Sequence, residues 1–225
     1  MELEDYKNFI EFFTKNKILS LRNFGSVENK FRETFNDILE KARLQKNRTK
    51  SQATALVLYL RALKYLFTMH QLTLEGHIEE ARILRRNVLE IILLGYLIEH
   101  SKGVFKLWEE CFEKRVKNTD SDGVVNIPKL RDKKYEVNRI IDNNRETLKQ
   151  SPKIASLIRR RGEFSTYFSH ENVYNIVSRI ENASTDSLGK LEVYIGQSAE
   201  SKNERLHKNL MQNVELVEIV NELVR

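Results

Sequence analysis

Two prolines and eight glycines in 225 residues are too few to supply the many tight turns of an all-β fold. The single cysteine, Cys111, excludes an intramolecular disulfide and a cysteine cluster for zinc. Between Trp108 and Phe112 it reads as a small core or subsurface residue. The longest apolar stretch, "ATALVLYLRALKYLF", is interrupted by Arg61 and Lys64 and falls short of the roughly 18–20 apolar residues that a membrane-spanning helix requires. No membrane partner is expected. The opening "MELEDYKNFI" is acidic, with no basic region followed by an apolar one, so no secretory signal is expected and a reducing cytoplasm fits. Gly-x-Gly-x-x-Gly, the P-loop, Gly-x-Ser-x-Gly and His-Glu-x-x-His are also missing. Their absence removes the common phosphate cradles, the nucleophile elbow and the two-histidine zinc site. Glu204–His207 is the only Glu-x-x-His pair, where a di-metal bundle needs two such pairs and further carboxylates. Neither a metal nor a cofactor is expected.

What is present favours helices: Leu, Glu, Lys, Asn, Arg and Ile dominate, and an apolar content of 40% is enough for a sizeable core. The net charge of +6 and pI near 9.3 permit a polyanionic partner without requiring one. Leu3, Tyr6, Phe9, Ile10 and Phe13 recur at helical spacing, and the pattern then lapses from Asn16 to Phe24. Ser26 reads as the cap of a second helix, with Val27, Phe31, Phe35, Ile38 and Ala42 as its stripe. Its basic end, "KARLQKNRTK", suits the negative end of a helix dipole. Residues 51–73 and 77–100 carry the two most hydrophobic helices, divided near Gly76, and "RRNVLEIILLGYLI" is apolar almost all the way round, as a central helix is.

The expected architecture is therefore all-α: a single domain, 1–225, forming a helical bundle of about seven helices built around two central hydrophobic helices within 53–98. Residues 1–50 would form N-terminal helices, 51–117 the central ones, and 128–225 a charged peripheral helix (128–150), a polar motif and a C-terminal helix. Ser151-Pro152 should end or kink the charged helix, and "KLEVYI" reads as a short strand. The amphipathic last helix and the charged helix offer more apolar stripe than one core needs, so a homo-oligomer, a dimer, is expected.

Two constellations carry chemistry. Arg86 and Glu90 lie four apart on the most apolar helix, and an ionised Glu90 bracketed by Val88, Leu89, Ile91 and Ile92 must be paired, by Arg86 or by a buried polar centre to which Arg61 or the stretch from Arg159 to Ile180 also contributes. The second is "RRRGEFSTYFSHENVYNIVSRI", Arg159 to Ile180. There Ser169 reads as an N-cap and His170 falls in the first helical turn, where the dipole favours a neutral imidazole. Beside Tyr167 and Ser169, His170 is a candidate acid–base group. Arg159, Arg160 and Arg161 are candidates for binding nucleic-acid phosphates.

These two features, with the polar connection and long final helix, resemble a loose group of prokaryotic all-α proteins linked to abortive infection and related to HEPN helical bundles. In that group an Arg-x-x-x-Glu recurs on the hydrophobic helix, matched by Arg86 and Glu90. A Tyr-x-x-x-Ser stretch ending in His also recurs, matched in compressed form by Tyr167, Ser169 and His170. The resemblance spans about residues 50–225 and implies a helical bundle in a prokaryotic defence or regulatory system. It does not carry the HEPN ribonuclease activity, whose signature is an Arg five to seven positions before a His: none of His70, His77, His100, His170 and His207 has one. The expected function is thus a binding or interaction protein with an RNA or protein partner. The alternative is a metal-independent nuclease or nucleic-acid binder using Arg159, Arg160, Arg161 and His170.

Overall fold

The computed structural model describes residues 3–44, 47–117, 133–167, 183–185, 191–193 and 204–224. They form an all-α bundle of helices α1 (Leu3–Leu44), α2 (Lys50–Leu74), α3 (Ile78–His100), α4 (Lys102–Lys117), α5 (Val137–Asn143), α6 (Arg145–Lys149), α7 (Pro152–Tyr167) and α8 (Glu204–Leu223). A 3₁₀ turn, Lys133–Tyr135, precedes α5, and a three-residue antiparallel pair joins Ala183–Thr185 to Leu191–Val193. The second of these strands lies inside the "KLEVYI" segment.

α2 and α3 form an antiparallel hairpin at the centre. Thr49 starts α2 with a capping box: its hydroxyl accepts the Gln52 N–H, while the Gln52 side chain accepts the Thr49 N–H. The hairpin turns at Gly76, whose φ of 92° lies in the left-handed region that glycine reaches without a Cβ penalty. With it, Gly76 N–H bonds to Thr73 O and His77 N–H to Leu72 O, satisfying the last carbonyls of α2. α3 then buries Val88, Leu89, Ile92, Leu93, Leu97 and Ile98 against α2 on one side and α4 to α7 on the other. One hydrophobic cluster draws residues from all eight helices.

Three expectations change. The two N-terminal helices abut at Phe24, whose φ of −125° and ψ of 27° are not helical, and the first of them runs through Asn16–Asn23, where the apolar pattern lapses. Asn16 and Ser20 occupy buried positions in phase with Phe13 and Val27, so polar residues on the inward face interrupt the apolar period. The charged helix of 128–150 is broken within its described part at Asn144, whose side-chain amide donates to Ile140 O and competes with the helical ladder. Arg159–Tyr167 is the end of α7 and not a lead-in, since Pro152 opens a helix that runs through it. The apolar stripe of α8 packs within the chain against α1 and α2.

Candidate functional site

The strongest polar feature of the interior is Arg85, 2% exposed on α3. Its phase is that of Ile78, Ala81, Leu89 and Ile92, so the inward stripe of α3 carries a guanidinium. Nη1 donates to Gln212 Oε1 (2.5 Å), and Nη2 to Asn209 Oδ1 (3.2 Å) and Asn213 Oδ1 (3.0 Å), all on α8. The chain of bonds continues across the bundle: Asn213 Nδ2 donates to Thr73 Oγ1 (3.2 Å), and Thr73 Oγ1 to Met69 O (2.8 Å). Burial, with Arg82 and Arg160 nearby, pulls the Arg85 pKa down, to about 9. The guanidinium remains charged at neutral pH, and its bonds hold α8 in register on α2 and α3.

Arg86 and Glu90 form an ion pair at 2.9 Å with side chains 24% and 18% exposed. The further base at Glu90 is Arg161 of α7, 3.6 Å away. Arg61 is exposed on α2, with its guanidinium 6.0 Å from the Tyr65 ring centre. Arg161 also approaches Asp142 (3.4 Å) and donates to Asn138, tying α7 to α3 and α5. Arg160 makes a two-pronged pair with Glu215 of α8 (2.8 and 2.6 Å). Of the arginine triplet Arg159 is exposed, while the guanidiniums of its half-buried neighbours are built into helix contacts. Tyr167 is the last residue of α7, while Ser169 and His170 lie outside the described residues.

A third polar contact escapes motif searches because its partners are 42 residues apart. His70 of α2 is fully buried, stacks on Phe31 (3.9 Å between ring centres, 1° between planes) and meets Glu28 Oε2 through Nε2 at 2.6 Å. Its other nitrogen, Nδ1, has no hydrogen-bond partner among the described residues, which assigns the proton to Nε2 as donor to the carboxylate. The bond to His70 holds the Glu28 carboxyl below its ordinary range, against the opposing effect of burial.

Two neighbouring hollows are lined by described residues. One, of about 530 Å³, lies between α1, α7 and α8 and is lined by Thr34, Ser156, Lys153, Glu215, Glu218 and Glu222 among others. The smaller, about 160 Å³, adjoins the end of α3 at Tyr96, Glu99 and His100 and shares Lys153, Ile219 and Glu222 with the first. Lys153 donates to Glu222, Lys30 pairs with Glu218 (2.7 Å) and Arg160 with Glu215, so each of these three acids of α8 has a cation beside it. His100 donates from Nδ1 to Tyr96 O (2.9 Å) and stacks on the same tyrosine.

Among the described residues no three His, Cys, Asp or Glu side chains converge as a metal site would require, and no helix is long and apolar enough to cross a membrane. What the described geometry provides is a set of buried ion pairs and hydrogen bonds joining helices, with charged grooves at the surface. No protein-family model, curated protein or solved structure matches the chain.

Proposed function

We propose that this chain is a helical interaction module, one that recognises a macromolecular partner and does not turn over a substrate. The observation that carries this reading is the use of Arg160 and Arg161. A nuclease built on the arginine triplet needs those guanidiniums at a scissile phosphate; here they are held by Glu215, Glu90, Asp142 and Asn138. Their work is to join α7 to α3, α5 and α8. A place in a prokaryotic defence or regulatory system belongs to the same reading, supported by the helical bundle and by the matches at Arg86 and Glu90.

Incubation with labelled single-stranded RNA at low salt, read on a denaturing gel, tests it. The RNA should stay intact. Arg161→Gln should lower stability by about 2 kcal/mol, between the cost of breaking a buried pair and that of losing a surface one. RNA cleavage that disappears in the Arg159→Gln/Arg160→Gln/Arg161→Gln variant, with the variant's melting unchanged, would overturn the reading.

A further inference from the structure

Between Glu40 and Glu75 the chain contains no acid at all. At 32 acids in 225 residues, the 34 positions 41–74 would hold about five. They hold seven of the 38 bases instead, a net charge of +7, which leaves the remaining 191 residues at −1. The basic excess of the protein is thus confined to the corner between α1 and α2 and to α2 itself. A solvated basic face on a helix of ordinary composition would have acids interspersed for solubility, as α8 does.

The structure sorts these bases by use. Lys41 pairs with Asp37 (3.1 Å) and donates to Asn221 (2.8 Å). Arg48 turns back to the carbonyl of Ala42 (3.4 Å). Arg43, Lys50, Arg61 and Lys64 are exposed, and Lys50, with its side chain 80% exposed, touches Glu109 of α4 at its outer end. Lys50, Val57, Arg61 and Lys64 follow one another at i, i+7, i+11 and i+14, a single outward stripe opposite the buried face of α2. At 1.5 Å per residue the stripe runs about 21 Å. Two apolar side chains stand along it, Val57 at 65% and Phe67 at 48% exposure, and Arg61 approaches the Tyr65 ring. Phe67 rests against Phe35 of α1, ring centres 5.8 Å apart, which props one side of the ring while the other stays open.

We infer that the outer face of α2, with Arg43 at its corner, is a docking surface for single-stranded nucleic acid. This rests on the reading of the chain as an interaction module and names the class of partner. Two features favour a nucleic acid over other polyanions. Cations spaced along a rigid helix track a phosphodiester backbone, and an open aromatic ring beside them accepts a stacked base. A lipid surface would call for a continuous apolar face, whereas here Val57 and Phe67 stand singly among polar neighbours.

Fluorescence anisotropy with a labelled 20-nucleotide oligouridine, from low to moderate salt, decides the matter on the whole protein, with melting curves to confirm that each variant is folded. The wild type should bind, with affinity falling steeply as salt rises. Arg43→Gln/Arg61→Gln/Lys64→Gln should weaken binding at least tenfold and flatten the log–log salt slope by about 2, each single-strand phosphate contributing about 0.7. Phe67→Ala should weaken binding about fivefold or more, the lower end of the range for losing one base-stacking ring. The control Lys102→Gln/Lys106→Gln/Lys208→Gln removes the same charge from exposed positions on α4 and α8 and should stay within about threefold of wild type. No RNA binding, equal losses in both triple variants, or binding to phosphatidylserine vesicles in place of RNA each overturns the inference. RNA bound through α2 but cut on the denaturing gel would leave the surface standing and bring down the non-catalytic reading. RNA neither bound nor cut would do the reverse.

Discussion

Gly95 should tolerate no side chain without cost, and the size of the effect follows from one contact. A Cβ placed on Gly95 would come within 2.6 Å of Tyr59 Cε1 and 3.1 Å of Cδ1. Ordinary carbon–carbon contact is 3.5–4.0 Å, so the ring would have to retreat by about 1 Å. It has little room, since Tyr59 is 1% exposed, fixed in the α2–α3 interface and within 3.4 Å of Glu99 through its hydroxyl. Overpacking of this kind costs about 1–3 kcal/mol. Opposing it, alanine is a better helix former than glycine by up to about 1 kcal/mol. The overlap wins: Gly95→Ala should destabilise by about 1–2 kcal/mol and lower Tm by roughly 3–6 °C for a chain of this size. Urea unfolding followed by circular dichroism measures it. In a Tyr59→Leu background the same substitution should be neutral or stabilising, because the obstructing ring is gone. A Gly95→Ala protein as stable as the wild type or more so would mean that helix propensity alone governs the site and that the close α2–α3 approach is wrong.

Acid should loosen the contact between α1 and α2. The folded Glu28 carboxyl titrates below its ordinary value of 4.5, so its contribution is complete above that value and is lost as pH falls through the lowered one. Glu28→Gln should cost about 1–2 kcal/mol at pH 7, the scale of a charge-assisted hydrogen bond, and the gap should narrow as pH falls below the ordinary value of 4.5; parallel stability curves from neutral pH to well below that value would refute the assignment. Arg85→Met should cost about 3–5 kcal/mol by stranding the amide oxygens of Asn209, Asn213 and Gln212 in the interior. Adding Asn209→Leu and Asn213→Leu should recover much of it, and a single variant within 0.5 kcal/mol of wild type, the range of surface changes, would place Arg85 in solvent.

The bundle was legible where periodicity was unbroken. α2 and α3 lie within a residue or two of where the apolar pattern puts them, because most inward positions there are aliphatic. Legibility failed at inward positions that are polar. Arg85 sits next to Arg86 in "LRRN", and the search for a pairing carboxylate draws attention to Arg86, four residues before Glu90. The phase Ile78, Ala81, Arg85, Leu89, Ile92 marks Arg85 as the buried one, and Asn209 and Asn213, four apart among Leu206, Leu210, Val214 and Val217, answer it from α8. Both signals are in the sequence, but only the pairing of α3 with α8 makes them one network. The Glu28–His70 contact has no local signal, since it depends on how two helices are set against each other. The acid-free stretch 41–74 is legible in full; its meaning depends on which bases the fold leaves facing outward.

The lapse at Asn16–Phe24 yields a last expectation. Ser20 is fully buried on α1, and its hydroxyl has no hydrogen-bond partner among the described residues. A buried hydroxyl without a partner forfeits the bond it made to water, at a cost of about 1–3 kcal/mol. Alanine carries no such group and has the higher helix propensity, by a few tenths of a kcal/mol. Against this stands the small void left by one oxygen atom, worth well under the cost of a methylene-sized cavity. Ser20→Ala should therefore stabilise the protein by about 1 kcal/mol, raising Tm by roughly 2–4 °C. The direction is unusual, since most core substitutions destabilise. Thermal melts of the two proteins under one condition suffice. A loss of more than about 0.5 kcal/mol, beyond the scatter of neutral changes, would show that the hydroxyl is engaged, and the polar face of α1 would then be a bonded seam.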